Sequence, residues 1–273
     1  MAGFMNFNFL KRVLSALVLA PLLVLLLLKG SPSLIFAVVL FCGLLAWYEW
    51  CNLFNLSPFY LIWGGCLLVL SLSLSFFLSP FFQIALFFLL SFFPFLFAFD
   101  KESFPHIFLP FITGLFYLYM GFSPFEKMVS QYPREVLLLF FLVVFANDTG
   151  AYLTGKLFGR HPFFPKISPK KTWEGFGGGI LLSSFSALLF NHFFSLWTFE
   201  KLLFLVFILS VAGVLGDLFE SSIKRVVGKK DSGVLIPGHG GLLDRIDGVI
   251  FASPVFLFFL EALGYGNLHR MGL

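Results

Sequence analysis

Residues 201–224 read KLLFLVFILSVAGVLGDLFESSIK, and this stretch decides what kind of protein the chain is. From Leu202 to Gly216 no side chain is charged, and a run of about 20 such residues crosses a bilayer. The stretch then closes on Asp217, Glu220 and Lys224, at i, i+3 and i+7, hence on one helical face. Ionisable groups at membrane depth are costly and face a partner or a cavity. Glu220 and Lys224, four apart, form either a structural ion pair or part of a site. Asp217 has no cation at i+3 or i+4 and needs one from elsewhere; a metal is the economical answer.

The rest of the chain has the same character. Of 273 residues 59% are hydrophobic and 12% charged, Phe alone contributes 43, and the mean hydropathy is +0.96. A soluble domain carries roughly 25% charged residues. The apolar stretches are continuous rather than alternating, which excludes a β-barrel. The expected fold is an all-α, polytopic membrane bundle of about nine helices, at 12–28, 33–52, 58–78, 80–99, 106–121, 135–156, 176–196, 201–224 and 248–264. Pro32, Pro58, Pro80 and Pro105 punctuate them. The third and fourth spans make a tight hairpin, and a re-entrant pair there would lower the count by two. Residues 1–105 form an N-terminal apolar region, and 106–273 hold the catalytic region.

Orientation follows from cations. Lys156, Arg160, Lys166, Lys170 and Lys171 lie around the loop after span six, and five more lie between spans eight and nine. These are 10 of the 18 Lys and Arg, and the positive-inside rule puts both loops in the cytoplasm. Lys11-Arg12 then also falls inside, so the N-terminus is cytoplasmic. The first span ends in Lys29-Gly30-Ser31-Pro32, a poor cleavage context, and reads as a retained helix rather than a signal peptide. Cys42, Cys51 and Cys66 form no CxxC pair and read as small apolar packing residues. Glu49, beside Trp47, Tyr48 and Trp50, reads as an interfacial carboxylate at an aromatic belt.

Residues 221–247, SSIKRVVGKKDSGVLIPGHGGLLDRID, carry most of the chemistry. Lys224, Arg225, Lys229, Lys230 and Arg245 suit phosphate oxygens, and Asp231, Asp244 and Asp247 suit Mg²⁺. The glycines, among them Gly240 and Gly241, let backbone N–H groups approach an anion. These are parts of a site for a phosphate-rich, metal-bound substrate. Asp244 and Asp247, three apart, either answer a helix dipole or hold metal. A loop histidine such as His239 is more often bland than catalytic.

The segment closely resembles the signature of phosphatidate cytidylyltransferases, the CDP-diacylglycerol synthases. Ser221, Ile223, Lys224, Arg225, Lys230, Asp231, Gly233, Ile236, Pro237, His239, Gly240, Gly241, Leu242, Asp244, Arg245, Ile246 and Asp247 fill its specified positions. The resemblance implies transfer of a cytidylyl group from CTP to phosphatidic acid at the cytoplasmic face of the cell's inner membrane, by a homodimer in the lipid bilayer. It implies Mg²⁺, one ion or two, on Asp217, Asp244 and Asp247. Lys171, Lys224, Arg225, Lys230 and Arg245 would meet phosphates, with Ser221, Gly240 and Gly241 lining the site. His239 would contact phosphate or pass a proton to a leaving group. No nucleic-acid partner is expected.

A second segment supports the site. Asp148, within span six, is expected to be buried and to need a partner. In Ile167-Ser168-Pro169-Lys170-Lys171, Ser168 suits a helix cap and Pro169 the first helical position. A helix N-terminus flanked by Lys170 and Lys171 would bind an anion, either substrate phosphate or a lipid headgroup; the resemblance favours substrate. Gly175-Phe176-Gly177-Gly178-Gly179 lacks phosphate-loop spacing and reads as a close helix contact. Two rival classes are an anion transporter, against which the polar groups gather at one face rather than the midplane, and a CDP-alcohol phosphotransferase, whose D-G-x-x-A-R motif is not found here. Glu261 is unexplained, and His106, His161, His192 and His269 are given no role.

Overall fold

A computed structural model describes residues 18, 20–74, 79–97, 101, 104–233 and 240–262. Among them nine helices form: α1 (Ala20–Lys29), α2 (Pro32–Phe54), α3 (Pro58–Leu74), α4 (Pro80–Phe97), α5 (Phe104–Gln131), α6 (Arg134–Phe158), α7 (Trp173–Phe194), α8 (Phe199–Val226) and α9 (Leu243–Ala262). Helices α2, α5, α6, α7 and α8 are each long and apolar enough to cross a membrane; α1, α3 and α4 are shorter apolar helices. The helical membrane class is as expected. Lys11, Arg12 and His239 lie outside the described residues.

Local chemistry sets the helix ends. Pro32, Pro58 and Pro80 open α2, α3 and α4, and Ser31 Oγ caps α2 by accepting from Leu34 N at 3.2 Å. α2 stops at Asn55, whose φ of 54° is left-handed. α5 runs 28 residues, well past the expected 106–121, and contains Pro110 and Pro124. Proline is tolerated inside membrane helices because neighbours satisfy the freed backbone groups.

One departure from an all-α chain is a short antiparallel hairpin, β1 (Pro162–Phe164) and β2 (Ser168–Thr172), pairing Pro162 with Thr172 and Phe164 with Ser168. Ser168 and Pro169, expected to start a helix, lie in β2. Thr172 caps α7 instead, its hydroxyl accepting from Gly175 N at 3.1 Å.

The chain divides into two compact units, Met1–Glu126 with Val227–Ile246, and Lys127–Val226 with Asp247–Leu273. In the first, the core is aromatic. Trp47 and Trp50 are buried, and their Nε1 groups donate to Leu61 O and Pro110 O, each at 2.9 Å. Phe111 packs edge-on against Trp47 and Tyr60. The aromatic-belt reading fails for Trp47, Glu49 and Trp50, which are interior, while Tyr48 is exposed.

In the second unit α6 lies against α7 through small residues. A Cβ at Gly150 would come 2.5 Å from Gly178 O, and one at Gly179 would come 2.6 Å from Asn147 Oδ1. The glycine run is thus the close helix contact that its spacing suggested. A Cβ at Gly216 of α8 would run into Asp247 O of α9, so those helices also approach closely. Phe140 stacks on Phe256, ring centres 5.0 Å apart. Leu181, Phe185, Leu189 and Phe193 recur every four residues on an exposed face of α7, a surface suited to lipid.

Candidate active site

The last three turns of α8 carry Asp217, Glu220, Ser221 and Lys224 on one face, as their spacing requires. Asp217 obtains its cation from the hairpin: Lys171 Nζ, on β2, lies 2.6 Å from Asp217 Oδ2. Ser221 Oγ donates to Asp217 Oδ1 at 3.2 Å. Glu220 is fully buried and pairs with Lys224, whose Nζ donates to Glu220 Oε2 at 2.9 Å. Both alternatives open for this pair are thus compatible: it is an ion pair, and it adjoins the other acids.

Asp247 of α9 is buried and meets carboxyl groups rather than cations. It lies in the field of Asp217, Glu220 and Asp148. Carboxyl groups gathered in a buried place need a proton or a cation among them. Asp148 was expected to be buried; on α6 it is exposed, and its neighbour Asn147 is the buried one.

The hairpin is tied to α8 a second time, by Arg225 Nε donating to Ile167 O at 3.3 Å. Its base is locked to α7 by Glu174, whose Oε2 accepts from Arg160 N and His161 N at 3.1 and 3.2 Å, and whose Oε1 lies 2.5 Å from His161 Nδ1. His161, given no role from sequence, thus helps hold the base of the hairpin on α7. Ser168 is half-buried on β2, and Lys170 beside it is exposed.

In the other unit, one oxygen of Asp244 gathers three donors of the signature segment. Asp244 Oδ2 accepts from Ser232 N, Ser232 Oγ and Gly241 N, each at 2.9 Å. Gly240 has a φ of +88°, and a Cβ there would lie 2.7 Å from Asp244 Oδ2, so glycine is needed on both counts. Lys229 is not presented to a substrate: its Nζ donates to Asn52 O at 2.7 Å and Leu53 O at 3.1 Å, at the end of α2. Lys230 and Arg245 are exposed. Among the described residues no three His, Cys, Asp or Glu side chains form a ready-made metal cage.

Over 145 residues the chain is 46% identical to the phosphatidate cytidylyltransferase of Staphylococcus epidermidis, covering 53% of this chain and 55% of that protein. The phosphatidate cytidylyltransferase of Bacillus subtilis is 41% identical over 167 residues, 60% of this chain and 62% of that one. That of Staphylococcus saprophyticus is 43% identical over 148 residues, 53% of this chain and 55% of that one. The chain thus spans between 55% and 62% of the length of these curated relatives. The model of the cytidylyltransferase family matches residues 10–263, almost end to end. On that match, the protein belongs to the cytidylyltransferase family.

Proposed function

We propose that the protein is a membrane transferase that moves the cytidylyl group of CTP onto phosphatidic acid. A phosphate oxygen of the lipid forms a bond to the α-phosphorus of CTP. The bond to the β-phosphate breaks, and CDP-diacylglycerol and pyrophosphate result. The observation that carries this reading is the cluster at the end of α8, in a chain of this family. There Lys171 and Lys224 pair with Asp217 and Glu220, while Asp247 faces further carboxyl groups.

The donor set fits a hard divalent cation. Mg²⁺ is usually bound by one or two carboxylates plus substrate phosphates, so no complete protein cage is needed. Asp217 and Asp247 would hold it, and when bound it would supply charge neutralisation at the reacting phosphates. The lipid phosphate is already anionic, so the chain's main task is to bring two polyanions together. Lys171 and Arg225 would serve by offsetting that repulsion and stabilising charge as pyrophosphate departs. Ser221 orients Asp217, and Asp244 braces the signature segment.

The same proposal places the cluster at the cytoplasmic face, in agreement with the ten cations of the two loops, and includes a homodimer in the bilayer. The test is label transfer. Purified protein with Mg²⁺, phosphatidic acid and CTP labelled in the cytidine should yield lipid-soluble label. Label that stays water-soluble, while solute crosses sealed vesicles, would instead support a transporter.

A further inference from the structure

Glu49 sits in α2, 168 residues before Asp217, and only 2% of it is exposed. Its Oε1 accepts from Leu242 N at 2.9 Å and its Oε2 from Leu243 N at 2.8 Å, with Ser232 Oγ at 3.4 Å. Leu243 opens α9, so these amides are among those that no carbonyl within the helix can serve. The positive end of the helix dipole favours a carboxylate there. One turn further along α2, the carbonyls of Asn52 and Leu53 hold Lys229. The end of α2 therefore grips the signature on both flanks, at Lys229 and at 242–243. Two glycines leave room for the grip: a Cβ at Gly233 would lie 2.7 Å from Glu49 Oε1, and one at Gly241 2.6 Å from Glu49 Oε2.

Burying a carboxylate is costly, and a Ser or Asn would cap a helix without that cost. What a carboxylate adds is two acceptor oxygens in fixed geometry, able to hold two successive amides at once. We propose that Glu49 is a positioning residue for the signature segment. By fixing the amides of Leu242 and Leu243 it sets the start of α9, the helix that carries Asp244 and Asp247. The activity arm of the test rests on the transferase reading; the structural arm does not.

The test uses the full chain in detergent. Glu49→Gln keeps the shape but turns an NH₂ towards one of the two amides, replacing a hydrogen bond by a donor–donor contact. Hydrogen exchange should show lost protection at 241–246 with α6 and α8 unchanged. Turnover should fall on the order of 10–100-fold, as for other residues that orient ligands, with KM for phosphatidic acid shifted less than about twofold. Glu49→Asp, which keeps the charge one methylene short, should show the same local loss and serves if the Gln variant accumulates poorly. Unchanged protection at Leu242 and Leu243 in these variants overturns the proposal. So does lost protection with normal turnover, or a loss spread equally over α6 and α8. Absence of lipid product from the unaltered protein would fail the transferase reading, and the exchange arm would still decide the role of Glu49.

Discussion

Lys171 Nζ lies 2.6 Å from Asp217 Oδ2, so an ion pair joins the β-hairpin to the polar end of α8. The two groups sit 46 residues apart in sequence, and each was assigned separately, one to phosphate and one to metal. Their pairing makes the cluster one electrostatic unit. A polyphosphate entering it would compete for Lys171, and a cation for Asp217.

That unity predicts non-additive effects. Asp217→Asn and Lys171→Met should each reduce kcat/KM for CTP by about 2–4 kcal/mol in barrier terms, the range for losing one preorganised charge stabiliser. The double variant should lose clearly less than the sum, because both serve one site. Steady-state kinetics on the four proteins checks this, and strict additivity would separate the two residues.

Asp247 yields a prediction that needs no turnover. Replacing it by Asn removes one of several facing carboxyl groups. In EDTA the Asp247→Asn variant should melt at or above the temperature of the unaltered protein. Mg²⁺ should stabilise the unaltered protein, by about 2.7 kcal/mol at 100 times its dissociation constant, and stabilise the variant much less. Equal Mg²⁺ stabilisation of both would remove Asp247 from the ion.

The α6–α7 contact can be probed at Gly178. Its position is crowded by Thr154, so Gly178→Val should overpack the helix pair and cost about 1–3 kcal/mol. The melting temperature in detergent should fall accordingly. An unchanged value would show that the helices do not meet at this point.

Orientation is testable with single cysteines in a chain lacking Cys42, Cys51 and Cys66. Phe164, on the hairpin, and Val226, at the end of α8, are both exposed. Cysteines at both positions should react with an impermeant thiol reagent only from the cytoplasmic side. Labelling of either from outside would reverse the proposed topology.

Much of this was legible in the sequence, for physical reasons that also explain what was not. Membrane helices announce themselves through continuous apolar runs, and Pro32, Pro58 and Pro80 mark true starts because proline fits the first helical turn. α5 runs past the expected end at 121, and Pro124 is tolerated inside it because neighbours in a membrane bundle can satisfy the freed backbone groups. The hairpin was missed because strands of 3 and 5 residues carry little periodicity, and Ser168-Pro169 is also how a helix begins. The spacing of Asp217, Glu220 and Lys224 gave their shared face, and the four-residue interval gave one of two readings of Glu220–Lys224. Glu49 and Lys229 were misjudged because their partners are 193–194 and 176–177 residues away, and no local pattern reports such contacts. An acid beside tryptophans looks interfacial until the fold shows it buried.

The proposed role of the charged cluster on α8 and the hairpin is cytidylyl transfer to a lipid phosphate. The most direct measurement is pyrophosphate release from CTP by purified protein in detergent, where no transmembrane gradient exists, with and without phosphatidic acid. The account predicts release only when both Mg²⁺ and phosphatidic acid are present, matched mole for mole by CDP-diacylglycerol and largely abolished in a folded Asp217→Asn variant. Release that ignores phosphatidic acid, or that survives Asp217→Asn undiminished, would contradict it.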